Sequence, residues 1–383
     1  MPVLTNKFLA GAVCFLSLSS SAVLAQPAAA SRDQAQIVSP AGSAGQLRLA
    51  VAEKVRWSLA QNDVPSASIA YIENGKIAWT LAVGESEPGK PATPETLYNI
   101  ASMTKSIVAE TVVRLAKSGA FSMDVSMAEA WVDPDLKDDP RHKLLTPRLA
   151  LTHRTGLPNW RYLTGDVLKF QNDPDTQFGY SGEGLQYVAH YIENKMARPL
   201  EQLVAETVFA PAGMTDTTFT DKPWLDGRIA MSQTKAGKHE FAPRRTQWNA
   251  ADDVWSSTSD YARFMIWVMA NPVSSERAAT YWIPRDNLKY QVCQEDRVPP
   301  PLCPRSLGFT AGWTVYDTPD NLIVMHGGGD DGEHTLGYFN PVARSGAVIF
   351  TNGDNGQKVI RDIVQILLPD PSFNAFINMQ SRG

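Results

Sequence analysis

Cysteine is scarce in this chain. There are three in 383 residues, and one of them, Cys14, lies in an apolar N-terminal stretch. The remaining pair, Cys293 and Cys303, cannot supply the four ligands of a structural zinc site. The six histidines show no His-x-x-x-His or similar ligand spacing, so no metal and no other cofactor is expected. An excess of basic charge is also missing. Lys and Arg total 35 against 40 acidic residues, a net charge of −5, and there is no basic run. That argues against nucleic acid as the main partner. Beyond residue 25 no apolar run approaches the roughly 20 residues that a membrane-spanning helix needs. Internal repeats are absent too.

What is present reads as an exported globular protein. Lys7 followed by the apolar, small-residue stretch Phe8 to Leu24, with Val23-Leu24-Ala25 before Gln26, has the pattern of a cleaved secretory signal; an uncleaved anchor is the alternative. Residues 26–46, rich in Ala, Ser, Gly and Gln, read as a flexible leader. The expected location is therefore periplasmic or secreted. In such a compartment two cysteines ten positions apart invite a disulfide closing the Pro-rich loop Gln294–Leu302, against the alternative of two free thiols. A hydrophobic content of 43% and a charged content of 20% are ordinary for a soluble chain, and the length suits one or two domains.

The chemistry starts at Asn99-Ile100-Ala101-Ser102-Met103-Thr104-Lys105-Ser106. A serine stands three residues before a lysine at the front of a helical pattern. Positions i and i+3 share one helix face, with Cβ atoms about 5–6 Å apart. A serine hydroxyl needs a base beside it to act as a nucleophile, and a lysine with a lowered pKa can be that base. Unpaired N–H groups at a helix start suit a developing oxyanion. Ser-x-x-Lys also arises by chance in chains of this length, so the rest of the sequence has to support it.

An amphipathic helix is expected near residues 46–61. Residues 66–72 and 76–81 flank Glu73-Asn74-Gly75, a hairpin signal. The helix from Ser102 runs through Ile107, Val108, Val112 and Leu115 to a stop at Gly119. Helices and polar loops follow to about residue 245. Strand patterns return near 312–316, 321–325, 334–339 and 346–351, the last two as a hairpin around Asn340-Pro341, and a helix over 359–368 follows. The expected fold is α/β (α+β): a mixed, mainly antiparallel sheet flanked by helices, with an inserted helical subdomain. The sheet part covers about 47–105 and 246–370, the helical part about 106–245, and 371–383 is read as a C-terminal tail.

Six ordered segments carry a resemblance. They are residues 96–105 around Ser102; Leu149-Ala150-Leu151-Thr152-His153-Arg154-Thr155-Gly156-Leu157-Pro158; Phe178-Gly179-Tyr180-Ser181; residues 209–217 around Pro211 and Gly213; residues 257–264; and His326-Gly327-Gly328-Gly329. Together they resemble the penicillin-recognising serine hydrolases, in the branch of class C β-lactamases, D,D-peptidases and related carboxylesterases. The resemblance spans roughly residues 47–370 and implies a β-lactamase/transpeptidase-like fold. It implies that Ser102 is acylated, that Lys105 takes or relays its proton, and that Tyr180 assists as base and then protonates the leaving group. A phenol ordinarily titrates near pH 10, so this role asks for a cation nearby, and Lys105 is the obvious one. His326 stands where many relatives carry the lysine of Lys-Thr-Gly, as a partly cationic hydrogen-bond donor. The resemblance also implies that with Gly328 it borders the substrate, and that the backbone N–H groups of Ser102 and Gly329 form the oxyanion hole.

One departure is Gly182, where β-lactam-cleaving relatives often carry an asparagine. With His326 it points toward small carboxylic esters or D-amino-acid peptides rather than β-lactams, so a small-molecule or peptide substrate is the expected partner. Asn159-Trp160-Arg161, Trp248 and Trp255 are candidates for the cleft wall, with packing as the alternative for each. Glu183 is assigned to neither cleft nor solvent. Asp252-Asp253 and Asp330-Asp331 read as solvated turns. Two other classes remain: a non-catalytic penicillin-binding or sensor protein, disfavoured by the intact Ser102, Lys105 and Tyr180, and an α/β-hydrolase, whose Gly-x-Ser-x-Gly is absent.

Overall fold

The computed structural model describes residues 44–273 and 283–382; the expected export signal and nearly all of the leader lie outside them. An eight-stranded sheet organises the fold. Its strands are β1 (Ser66–Glu73), β2 (Lys76–Glu87), β3 (Lys90–Pro91), β4 (Ser306–Phe309), β5 (Thr314–Asp317), β6 (Leu322–Asp330), β7 (Glu333–Asn340) and β8 (Ser345–Thr351). They lie in the order β3-β2-β1-β8-β7-β6-β5-β4. Every pairing in this sheet is antiparallel, in line with the mainly antiparallel sheet expected. Asn74 and Gly75 both take positive φ, as the tight turn between β1 and β2 requires.

Both faces of the sheet are buried, so apolar residues line both sides of its central strands. On β1, Ala67, Ile69 and Tyr71 face one core while Ala70 and Ile72 face the other. The first core is closed by α1 (Ala44–Asn62), and the second by α2 (Thr104–Lys117), α3 (Gly182–Met196) and α4 (Thr258–Ala270). Two C-terminal helices, α5 (Gly356–Leu367) and α6 (Pro371–Gln380), complete the first core. In place of the expected tail, α6 buries Phe373, Phe376 and Ile377 against the sheet. Asp370 caps its start by accepting from the Phe373 N–H at 2.9 Å.

The glycine-rich stretch is not a turn at a strand end. His326 to Gly329 lie within β6, in register with Gly337 to His334 of β7, and the reversal comes at Asp331-Gly332. Pairing between β6 and β5 stops at Met325, so the strand leaves β5 just where His326 begins. No described helix is long and apolar enough to cross a membrane.

Candidate active site

Ser102 sits in a single 3-10 turn, Ala101–Met103, that runs into α2. Ala101 adopts a left-handed φ of 45°, a conformation that costs an L-residue about 1–2 kcal/mol. Its neighbours hold it there. The Ala101 N–H donates to Asn99 Oδ1 at 2.9 Å, the Ile100 N–H to the Val254 carbonyl at 2.8 Å, and Thr335 Oγ1 to the Ile100 carbonyl at 3.1 Å. One helical turn on, Lys105 places Nζ 2.9 Å from Ser102 Oγ and 2.7 Å from the Ala251 carbonyl. Lys105 is wholly buried while Ser102 is partly exposed. The hydroxyl therefore faces the cleft with the amine behind it, as the i, i+3 spacing predicts.

Tyr180 comes from a different element. It precedes Ser181, whose Oγ caps α3 by accepting the Gly184 N–H at 2.9 Å and donates to the Pro158 carbonyl at 2.7 Å. Lys105 Nζ lies 5.0 Å from the centre of the Tyr180 ring, within cation–π range. The two meet through the ring face; the Tyr180 hydroxyl is buried without a hydrogen-bond partner among the described residues.

His153, quoted in the sequence only as part of a recurring segment, supports this arrangement. Its ring lies 4.4 Å from that of Tyr180, and its Nδ1 accepts the Ser181 N–H at 3.1 Å. Burial, then the charge of Lys105, holds its imidazole well below the usual histidine range. It is a neutral spacer for the tyrosine segment. Its place in Leu151-Thr152-His153-Arg154-Thr155-Gly156 was the available signal.

His326 is also neutral, which corrects the expectation of a partly cationic group. Burial, then Lys105, pushes its imidazole down to about 3. Nδ1 lies 2.7 Å from the Gly327 carbonyl and so carries the proton, leaving Nε2 as a buried, unpartnered acceptor. Beside it, Gly328 touches the Ser102 turn. A Cβ there would stand 2.3 Å from the Ile100 carbonyl oxygen and 3.1 Å from Ala101 Cβ, so only glycine allows this approach. The strand carrying Gly328 and Gly329 thus runs against the turn that holds Ser102.

The acidic pairs are not simple solvated turns. Asp252, Asp253 and Asp330 bring carboxylate oxygens within 4.8 Å of one another, and Asp253 is buried. Asp253 accepts from Arg245 Nε at 2.8 Å. Burial and Asp253 push Asp252 up to about 7, while Lys105 pulls it down. Asp330 is raised as well, chiefly by burial. Glu333, buried at the start of β7, is raised well above its usual range by the same cause.

The remaining candidates divide. Glu183 is buried and bound to Arg161, and Trp160 is partly exposed with its ring centre 5.6 Å from Lys105 Nζ. Trp255 is enclosed in the core, so it is not a wall of the cleft. Trp248 is engaged elsewhere, its ring tilted against that of His190 at 4.7 Å and its N–H donating to Glu193. Cys293 and Cys303 form a disulfide.

Comparison with known proteins follows the same lines. The family description Beta-lactamase matches residues 51–369. The chain is 21% identical to "Protein flp" of Staphylococcus aureus (strain COL) over 78% of its own length and 61% of that protein. It is 25% identical to the "D-alanyl-D-alanine-carboxypeptidase/endopeptidase AmpH" of Escherichia coli (strain K12) over 40% of its length and 45% of that protein. It therefore spans less than two thirds of these curated relatives. Among solved structures, "D-alanine Carboxypeptidase AmpC from Burkholderia cenocepacia" superposes with a TM-score of 0.68 at 19% identity, covering 85% of this chain and 99% of that one.

Proposed function

Because the chain belongs to the Beta-lactamase family, within the serine β-lactamase and penicillin-binding-protein superfamily of serine hydrolases, we propose that it is exported and cleaves a small carboxylic ester through an acyl-enzyme on Ser102. The contact that carries this reading is the 2.9 Å approach of the buried Lys105 Nζ to Ser102 Oγ. In its neutral form Lys105 accepts the hydroxyl proton along that contact as Oγ bonds to the substrate carbonyl carbon. The negative charge then developing on the carbonyl oxygen is met by the N–H groups of Ser102 and Gly329, from the two segments that adjoin at Gly328. Tyr180 gives its hydroxyl proton to the departing alkoxide and regains one from the Lys105 ammonium, which resets both groups. A water then repeats the sequence on the acyl-enzyme and frees the acid.

The surroundings favour an uncharged substrate. Penicillins and D-Ala-D-Ala peptides both bring a free carboxylate. Here the strand-side histidine is neutral, and three carboxyl groups cluster beside Lys105's end of the cleft. Position 182 offers no side-chain amide. A D-amino-acid peptide is the second reading, favoured by two similar proteins that are named as D-alanine carboxypeptidases. The deciding experiment incubates the mature protein with a p-nitrophenyl short-chain ester, a D-Ala-D-Ala peptide and a penicillin, following product release and intact mass. Ester turnover with a transient adduct on Ser102 is expected. Peptide turnover alone would install the second reading, and a persistent adduct without release would point to a sensor. No adduct from any probe would overturn acyl transfer.

A further inference from the structure

We infer that Trp160 is the specificity-determining wall of the acyl site, that it stands in the room a side chain at position 182 would fill, and that it selects esters with a flat apolar acyl group. The inference deepens the acyl-transfer reading and rests on it for the location of the acyl group.

Space is the first argument. A Cβ on Gly182 would lie 2.9 Å from Trp160 Cη2, 3.0 Å from its Cζ3 and 2.9 Å from the Asn159 carbonyl oxygen. Gly182 is the first residue of α3, not a left-handed turn, so glycine here answers to packing and not to backbone conformation. Ring and side chain exclude each other at this spot.

The second argument is rigidity. The Gly182 N–H donates to Asn159 Oδ1 at 2.9 Å and the Glu183 N–H to the Asn159 carbonyl at 3.1 Å. On the other side of Trp160, the Arg161 N–H donates to Glu183 Oε1 at 2.9 Å, and Arg161 Nη2 to Glu183 Oε2 at 2.8 Å and Asp133 Oδ2 at 3.0 Å. Glu183 and Asp133 are both buried. The residue before Trp160 and the residue after it are thus fastened to the start of the helix that follows Tyr180. A wall held this way presents its face without an ordering cost at binding.

The third argument is position. The ring is partly exposed and its centre lies 5.6 Å from Lys105 Nζ, which itself touches Ser102 Oγ. A planar apolar acyl group on Ser102 can stack on it, an arrangement aromatic pairs favour beyond simple area burial.

The test compares kcat/KM for p-nitrophenyl phenylacetate and p-nitrophenyl acetate. Trp160→Ala lowers the phenylacetate-to-acetate ratio by about tenfold, the order expected for losing one apolar contact in a specificity pocket; the loss falls mainly on KM. Trp160→Phe keeps most of the ratio. Gly182→Asn lowers the ratio with Trp160 still present, because the ring is displaced, and Trp160→Ala added to it recovers part of the lost thermal stability, the close approach to the Asn159 carbonyl remaining. A ratio unchanged in Trp160→Ala, in protein with a parental melting transition, overturns the inference. A second measurement stands apart from turnover: phenylacetamide binding to Ser102→Ala, read by calorimetry, weakens about tenfold when Trp160→Ala is added. Undetectable binding, or binding indifferent to Trp160, overturns the inference as well. Absence of any Ser102 adduct with the acetate ester sinks the acyl-transfer reading instead, so the two failures are told apart.

Discussion

The two walls of the cleft are built on opposite principles. The helical wall, from Asn159 to Glu183, is aromatic toward the site and keeps its charges behind, where Arg161 meets Glu183 and Asp133. The strand wall, at the end of β6, keeps a neutral histidine beside the site and gathers Asp252, Asp253 and Asp330, of which Asp253 is paired with Arg245. In the first wall, charge serves to fix geometry, because each buried carboxylate has an arginine. In the second, burial raises the pKa values of Asp252 and Asp330, so the wall responds to pH. Ser102 and Lys105 lie between a rigid apolar surface and a titrating polar one.

Substitutions can break this contrast at graded levels. The largest effect belongs to the centre both walls serve: Ser102→Ala should lower ester turnover by about 10⁴-fold or more with the melting transition nearly unmoved. Residual activity within tenfold of the parent would remove Ser102 as nucleophile. Tyr180→Phe should slow acylation by about 10²-fold or more, in keeping with the loss of a general acid–base group, as read by stopped-flow release of p-nitrophenol. A rate within twofold of the parent would assign the proton to another group. Glu183→Gln unfastens the helical wall and should cost about 1–2 kcal/mol of stability by urea unfolding, since it removes a buried charge partner from a part-exposed arginine. An unchanged midpoint would mean that the clamp does not hold that wall.

The last effect concerns the strand wall and depends on pH. Asp252 binds its proton more tightly in the folded protein, at about 7, than an unfolded aspartate near 3.9. Between those values the native state holds more protons than the unfolded one, so this group's contribution to stability falls as pH rises from about 4 to 7 and then levels. Asp252→Asn lacks that loss. Its melting temperature relative to the parent should climb across the same window, and a difference flat from pH 4 to 8 would contradict the assignment.

What could be read from the sequence follows from how far apart the participating residues lie. Ser102 and Lys105 are one helical turn apart, so their contact was visible in spacing alone. The Asn74-Gly75 hairpin and the core face of α2 were equally local. Tyr180 could be named only through the family segment, and its approach to Lys105 through the ring face needed the structure. The meeting of Asp252 with Asp330 joins residues far apart in sequence, and neither pair carries a local signature beyond that of a polar turn. The exclusion between Trp160 and Gly182 was illegible for the same reason, since a glycine shows what is absent but not what fills the space. β4, only Ser306–Phe309, was too short to register as a pattern, and the Pro371 helix was masked by its position after Pro369-Asp370.

The carboxylates at the end of β6 have a kinetic consequence. Above pH 7, with Asp252 ionised, the carboxyl cluster near Lys105 sets up a negative field, and an anionic ester reaching Ser102 must work against it while a neutral one does not. Added salt shortens the reach of that field to about 10 Å at 0.1 M. Encounter rates for anionic esters should therefore rise with ionic strength while those for neutral esters stay level, which makes the strand wall a selector of substrate charge during approach, before any contact is made.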